Sequence, residues 1–306
     1  MDALSRLLKL YPMRTALEIH CQVGAPWVLD YPAAAKGTAP YHMVVAGSAL
    51  ADHAGERVAL AGGDVIVFPH AGAHRLHVGD PHAAKPLRHL DASTPLLEVG
   101  NGGDGAPTEL LCGHFYFQDG AMNALLASLP ALMLVRTAQQ SGCAGLRNLI
   151  GMLQSEAQSV RPGTEAVLSH LSSALFSLLV RAWLEQAAAT RGLFALLAEP
   201  RLQPALQGML EAPGQEWTLE SMAEASHMSR ATFARLFQQV AGTTPAVMLM
   251  ATRMAHAAHA LALGRRAVAD IGETVGYQSE AAFNRVFKKH YGIGPGQYRR
   301  QAKAGA

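Results

Sequence analysis

The sequence predicts an α+β protein in two parts: a β-rich amino-terminal part that ends in helices, and an all-helical part of two helix-turn-helix units joined by a long helix. Three observations carry this. The last third contains an internal repeat, in which "LESMAEASHMSRATFARLFQQVAGTTP" and "VADIGETVGYQSEAAFNRVFKKHYGIGP" superpose at a spacing of 50 residues. Ser229 matches Ser279, Phe233 matches Phe283, Arg235 matches Arg285, Phe237 matches Phe287, Gly242 matches Gly292 and Pro245 matches Pro295. Residues 40 to 80 instead break into short β-prone runs between turn residues. Finally, charge is uneven: from Gln215 onward there are 11 Lys/Arg against 6 Asp/Glu, whereas residues 1–214 carry 14 against 17. The basic end points to a polyanionic partner.

Composition sets the class. With 306 residues, 50% of them apolar and 16% charged, the chain can bury two cores, expected over 1–200 and 201–306. The opening "MDALSRLLKLYPM" has neither an unbroken apolar segment nor a small-residue cleavage site, so a cytoplasmic location is expected. The apolar stretches 121–135 and 167–184 read as core helices and not as membrane spans. Three widely separated cysteines make no disulfide framework, and each by itself reads as a small buried residue.

In the amino-terminal part, Val44, Val45, Val58, Leu60, Val65, Val67 and Phe68 sit in short strands around "AGS", "HAGE" and "AGGD". "ELLCGHFYF", Glu109 to Phe117, reads as another strand, followed by helices over 122–136 and 164–185. The second of these carries Leu168, Leu171, Phe176, Leu179 and Trp183, more apolar surface than one face needs, which suits internal packing or a homodimer. "GNGGDG" at 100–105 lacks the lysine and the helix of a phosphate-binding loop and reads as a plain loop.

The repeats are justified helix by helix. Thr218 caps a helix bearing Leu219, Met222 and Ala223, and Ser229 caps a second bearing Phe233, Leu236 and Phe237, over about 218–240. Over about 268–290, Val268, Ile271 and Val275 form the stripe, Gly276 permits a left-handed turn, and Ser279 caps the helix with Phe283, Val286 and Phe287. Between them, 245–263 has apolar residues at Val247, Met250, Met254, Ala257 and Leu261; such a helix is about 27 Å long, close to one DNA turn. The pattern fits two recognition helices in successive major grooves, or a helical bundle for protein contact.

If DNA is the partner, the exposed first turns of each second helix make the contacts. Those are Ser229, Arg230, Thr232 and Arg235 in the first unit and Ser279, Glu280, Asn284, Arg285 and Lys288 in the second. Arg235 and Arg285 suit guanine edges. Glu280 is better placed to complement its own helix terminus.

From about Leu219 to Arg300, "MAEASHMSRATFARLF", Arg253-Met254-Ala255 and "IGETVGYQSEAAFNRVFKKHYGIGPGQYRR" make the chain resemble the AraC/XylS family of bacterial transcription regulators. That resemblance implies double-stranded DNA and RNA polymerase as partners and no enzymatic activity. "GGDVIVFPHAGAHRL" resembles the second motif of cupin barrels, which implies a cupin-like β-barrel sensor domain ahead of the DNA-binding domain. Nine histidines precede residue 120, yet the His-x-His and spaced Glu of a metal-binding first cupin motif are missing and His74 alone fits a ligand position. No metal and no cofactor are expected.

"EIHCQV" and "LLCGHF" place His20 beside Cys21 and His114 two residues after Cys112, so either thiol is a core filler or an imidazole-assisted reactive group. The stretches "MDALSRLL", "LPALMLV" and "HMSR" also resemble the reactive-chlorine-responsive activators of that family in enteric bacteria. This implies that hypochlorous acid oxidises Cys21, with Cys112 as the second sensing cysteine and Cys143 incidental. The other reading is a regulator gated by a small organic ligand or a metal in the barrel.

Overall fold

The computed structural model describes residues 1–90, 95–117, 124–138, 140–159, 161–186, 191–264 and 266–304. In chain order, α1 (Ala3–Leu10) is followed by β1 (Met13–Gly24), β2 (Trp27–Tyr31), β3 (Thr38–Ala46), β4 (Ser48–His53), β5 (Glu56–Ala61), β6 (Val65–Val67), β7 (His74–Val78), β8 (Arg88–His89), β9 (Leu97–Gly100) and β10 (Pro107–Phe117). Then come α2 (Ala124–Ala127), β11 (Met133–Val135), α3 (Ala144–Ala157), α4 (Thr164–Gln186), α5 (Leu193–Ala198), α6 (Gln203–Glu211) and α7 (Leu219–Ala225). The chain ends with α8 (Arg230–Ala241), α9 (Pro245–Leu263), α10 (Val268–Thr274), α11 (Glu280–Tyr291) and α12 (Pro295–Ala304). Two compact units result.

The β unit holds all eleven of these strands, α3 and α4. Its seven-stranded sheet runs β11-β6-β3-β10-β1-β9-β8 and its four-stranded sheet β2-β7-β4-β5. Alternate residues of the strands turn inward and bury Cys21, Val23, Val44, Ile66, Leu110 and Cys112 against Trp27, Leu29 and Leu76 of the smaller sheet. The pairing of β1 with β10 carries a register shift between Leu17 and Ile19. After β9 the chain crosses itself closely. A side chain at Gly103 would collide with the Gly24 backbone, and Asn101 fixes the crossing by accepting from the Gly24 N–H at 2.9 Å and donating to the Gly24 carbonyl at 2.8 Å.

On the other face of the large sheet, α4 sets Phe176 against Phe115 and Phe117. Of the apolar residues expected to exceed one face, Leu168, Phe176, Leu179 and Trp183 are buried and Leu171 is half-buried. Both α4 and α9 are long and apolar enough to cross a membrane, and each buries a face inside its own unit. The helix expected over 122–136 is corrected. Residues 122 and 123 lie outside the described residues, the helix ends at Ala127, and Pro130 cannot continue it. Met133, Leu134 and Val135 pair instead with Val67, Ile66 and Val65 of β6.

The helical unit contains α1, α2 and α5 to α12. The first helix therefore belongs here although it opens the chain. Asp2 caps it, Leu7 and Leu10 are buried, and Arg6 pairs with Glu211 of α6 at 3.0 Å. The repeat is built from caps: Thr218 and Ser221 form a reciprocal capping box at α7, Ser229 caps α8, Thr244 caps α9 and Ser279 caps α11. Left-handed Gly242, Gly264 and Gly292 stop α8, α9 and α11. Phe283 and Phe287 of α11 fill a core with Met254, Ala258, Leu261, Ile271 and Tyr298. Replacing Ser279 by alanine orphans the Ala282 N–H it now binds at 3.2 Å; about 1 kcal/mol of helical-unit stability should be lost, measurable by urea unfolding.

Candidate functional sites: a buried thiol pair and a helix-turn-helix face

Strand register brings two cysteines together that lie 91 residues apart in sequence. Cys21 on β1 faces Leu110 across the antiparallel pair and Cys112 on β10 faces Ile19, so the two thiols are diagonal neighbours on the inward face. Both are reduced, and Cys21 and Cys112 are 0% and 2% exposed. Cys21 and Cys112 belong to one buried apolar cluster, against which the ring of Tyr31 packs. The Cys112 thiol is pushed well above its ordinary pKa, first by the Cys21 thiol beside it and then by burial, while Tyr31 acts in the opposite direction.

Access is unequal. A cavity of about 260 Å³ is lined by Cys21 with Ile19, Leu29, Tyr31, Arg88 and Val99, and Cys112 is not on its wall. Cys21 is on this wall but 0% exposed, so a solute reaches its sulfur only when the wall opens.

The sequence-adjacent histidines are engaged elsewhere. One residue of a strand reverses the side-chain direction, so His20 points away from Cys21. There its Nδ1 lies 2.9 Å from Glu98 Oε1 and its Nε2 2.8 Å from Glu109 Oε1, and Gln154 of α3 donates to the same Glu109 oxygen at 2.9 Å. His114 binds Glu18 at 2.7 Å. The residue facing Cys112 on the other neighbouring strand is His42. Its Nε2 is 2.8 Å from Nε2 of His74, which stacks between Phe68 (3.7 Å) and Tyr31 (4.9 Å). Burial drives His74 down to about 4, and burial together with His74 drives His42 well below its ordinary value. His74 Nδ1 meets the Gly72 carbonyl, so both its nitrogens are occupied; among the described residues no group of three or more His, Cys, Asp or Glu side chains is placed to hold a metal. His42 escapes sequence reasoning because nothing local marks a strand residue that faces a cysteine on another strand.

In the helical unit the repeat places matching residues at matching positions. On α8, Arg230, Thr232 and Arg235 are exposed; Ser229 and Thr232 hydrogen-bond to each other at 2.9 Å, and Arg230 pairs with Glu220 of α7 at 2.9 Å. On α11, Glu280 occupies the first turn, Arg285 and Lys288 are exposed and Asn284 is half-buried. The linker's Arg253 does not face solvent freely. It donates to the Pro213 and Gln215 carbonyls at 2.8 and 3.0 Å and lies over Tyr277, tying the linker helix to the turn of the second repeat.

Comparison with known proteins agrees with both units. The family described as Cupin matches residues 2–185 and the family described as Helix-turn-helix domain matches 222–301. The chain is 35% identical to the "RCS-specific HTH-type transcriptional activator RclR" of Escherichia coli over 99% of each protein. It is 31% identical to an HTH-type transcriptional regulator of Haemophilus influenzae over 98% of this chain and 99% of that one. With the HTH-type transcriptional regulator MtrA of Neisseria gonorrhoeae it shares 29% identity over 98% and 99% of the two chains. A β unit of cupin type followed by two linked helix-turn-helix repeats, with such relatives along its whole length, makes this chain a member of the AraC family of DNA-binding transcription regulators.

Proposed function

We propose that the protein is a cytoplasmic transcription activator that responds to reactive chlorine through Cys21 and Cys112, and that it works at promoter DNA with RNA polymerase. The observation that carries this is the thiol pair itself: two cysteines from neighbouring strands are diagonal neighbours in one buried core, and Cys21 lines the cavity of about 260 Å³. Hypochlorous acid oxidises Cys21 and Cys112 closes a disulfide. Diagonal positions on neighbouring strands have Cβ atoms farther apart than the ~3.8 Å a disulfide prefers, so closure shifts β1 against β10 and selects a second arrangement of the barrel.

The test is non-reducing peptide mass spectrometry after stoichiometric hypochlorite, with promoter-DNA affinity measured in parallel. A Cys21–Cys112 link is expected in the wild type. Cys21→Ser should keep basal DNA binding and lose the oxidant response; an unchanged response in that variant overturns the reading. The alternative is gating by an organic effector; thermal stabilisation by candidate ligands without oxidant would favour it.

On DNA, we assign Arg235 and Arg285 to base edges and Ser229, Arg230, Thr232, Ser279, Asn284 and Lys288 to positioning, with Glu280 serving its helix terminus. Arg285→Ala should lower specific affinity about 10- to 100-fold and relax sequence preference, whereas Lys288→Ala should weaken all sequences alike and reduce the salt slope by about 1. Fluorescence anisotropy over a salt series separates the two.

A further inference from the structure

We propose that the helical unit has a ligand site of its own: a cavity beside Arg235 that takes a small amphiphilic organic anion and, when filled, competes with DNA. The competition, though not the binding itself, rests on the assignment of Arg235 to DNA above.

The cavity measures about 680 Å³, within the roughly 300–1,000 Å³ of ordinary ligand pockets. Its walls come from α7 and α8 of the first repeat, from α9, and from the turn of the second repeat. Its apolar surface is formed by Trp217, Leu219, Met222, Leu249, Met250 and Tyr277. Met222 and Leu249 are buried, but the other four are only half-buried, so apolar surface stays uncovered around one concavity. Both aromatic walls are held in place. The Trp217 indole N–H donates to the Ala212 carbonyl at 2.9 Å, and its ring occupies the space left by Gly208 of α6, where a Cβ would stand 2.5 Å from it. Tyr277 packs against Phe283 with ring centroids 5.7 Å apart, and Arg253 lies over it at 6.0 Å. Fixed walls lose little freedom when a ligand enters.

Charge names the ligand class. Arg235 of α8 and Arg253 of α9 are on the wall, and among the described residues no Asp or Glu is. Arg253 bonds the Pro213 and Gln215 carbonyls, which do not neutralise it, and Arg235 is exposed. A carboxylate or sulfonate meets the planar fork of a guanidinium through two hydrogen bonds. A DNA phosphate would answer the charge but leave the apolar surface wet, and a hydrocarbon or an organic cation would do the reverse. An apolar body with one anionic group matches both. Such a ligand engages Arg235, the side chain assigned to base edges, so ligand and DNA exclude one another and each lowers the apparent affinity of the other.

Full-length protein is titrated with decanoate by isothermal calorimetry without DNA. Decanoate is expected to bind, octanoate to bind about tenfold more weakly for the two methylenes lost, and decyltrimethylammonium not to bind. Arg235→Gln removes an exposed charge and should weaken decanoate about 10- to 100-fold. Ala246→Trp fills the cavity from an exposed position in the first turn of α9 and should abolish binding. Melting temperatures check that both variants fold, and if the tryptophan variant does not, Arg235→Gln decides alone. In fluorescence anisotropy with promoter DNA, decanoate at ten times its own Kd should raise the apparent Kd for DNA about tenfold. Equal decanoate affinity in wild type and Arg235→Gln, or decyltrimethylammonium bound as tightly as decanoate, overturns the site. Decanoate bound as expected with DNA affinity unchanged overturns the competition. A wild type that binds decanoate but no DNA overturns the assignment of Arg235 to DNA and leaves the site standing.

Discussion

Replacing His20 by alanine is expected to cost about 3–5 kcal/mol of stability in the β unit. His20 is 1% exposed and is held on both ring nitrogens, by Glu98 of β9 at 2.9 Å and by Glu109 of β10 at 2.8 Å. A carboxylate oxygen lies within hydrogen-bond distance of each ring nitrogen, so the imidazole is engaged on both sides. Alanine would leave two carboxylates facing a cavity inside the sheet, Glu98 nearly buried and Glu109 still bound by Gln154. That orphaned charge, and not the lost pairing energy, sets the size of the effect. Adding Glu98→Gln and Glu109→Gln to His20→Ala should therefore recover a large part of the loss. Urea unfolding of wild type, His20→Ala and the triple variant measures this, and a cost below about 1 kcal/mol for His20→Ala alone would mean that solvent replaces the imidazole. His20 lies back to back with Cys21, so the same clip stiffens the strand on which Cys21 sits.

How far the sequence can be read depends on whether the information is local. The helix-turn-helix repeats are legible because a cap, a stripe at 3.6-residue spacing and a left-handed stop lie within a dozen residues: Ser279, Phe283 with Phe287, and Gly292 write α11 almost alone. The segment 122–136 misleads for a complementary reason. Its apolar content fits a helix, but Pro130 and the open edge of β6 decide the outcome, and β6 lies more than sixty residues earlier in the chain. The thiol site is intermediate. Cys21 and Cys112 can be singled out, yet "HC" and "CGH" suggest the wrong imidazoles, since strand alternation sends His20 to the opposite face and His114 to Glu18. His42, His74 and Tyr31 reach the pair only through register across three strand pairings, which no spacing in one chain reveals.

Mild acid should destabilise the β unit more steeply than its carboxylates alone would allow. His74 is held near 4, chiefly by burial, against about 6.5 in the unfolded chain, and His42, whose Nε2 it faces at 2.8 Å, is lowered further. The unfolded state therefore takes up these protons first as pH falls. Stability is unaffected above about 6.5 and declines between 6.5 and 4 by about 1.4 kcal/mol per pH unit for each such histidine, roughly 3 kcal/mol for His74 over the window. The charged neighbours reinforce this: His53 and His114 both oppose a proton on His74, and His114 also opposes one on His42. Glu18 and Asp52 are held below their ordinary values by hydrogen bonds to His114 and Arg57, so their contribution is lost only at lower pH, as it falls through those depressed values. The interval from about 6.5 to 4.5 thus isolates the imidazole pair. Urea unfolding at pH 7.5, 6.5, 5.5 and 4.5 should show the slope for wild type and about one proton less for His74→Gln; equal slopes would show that His74 is protonated without cost.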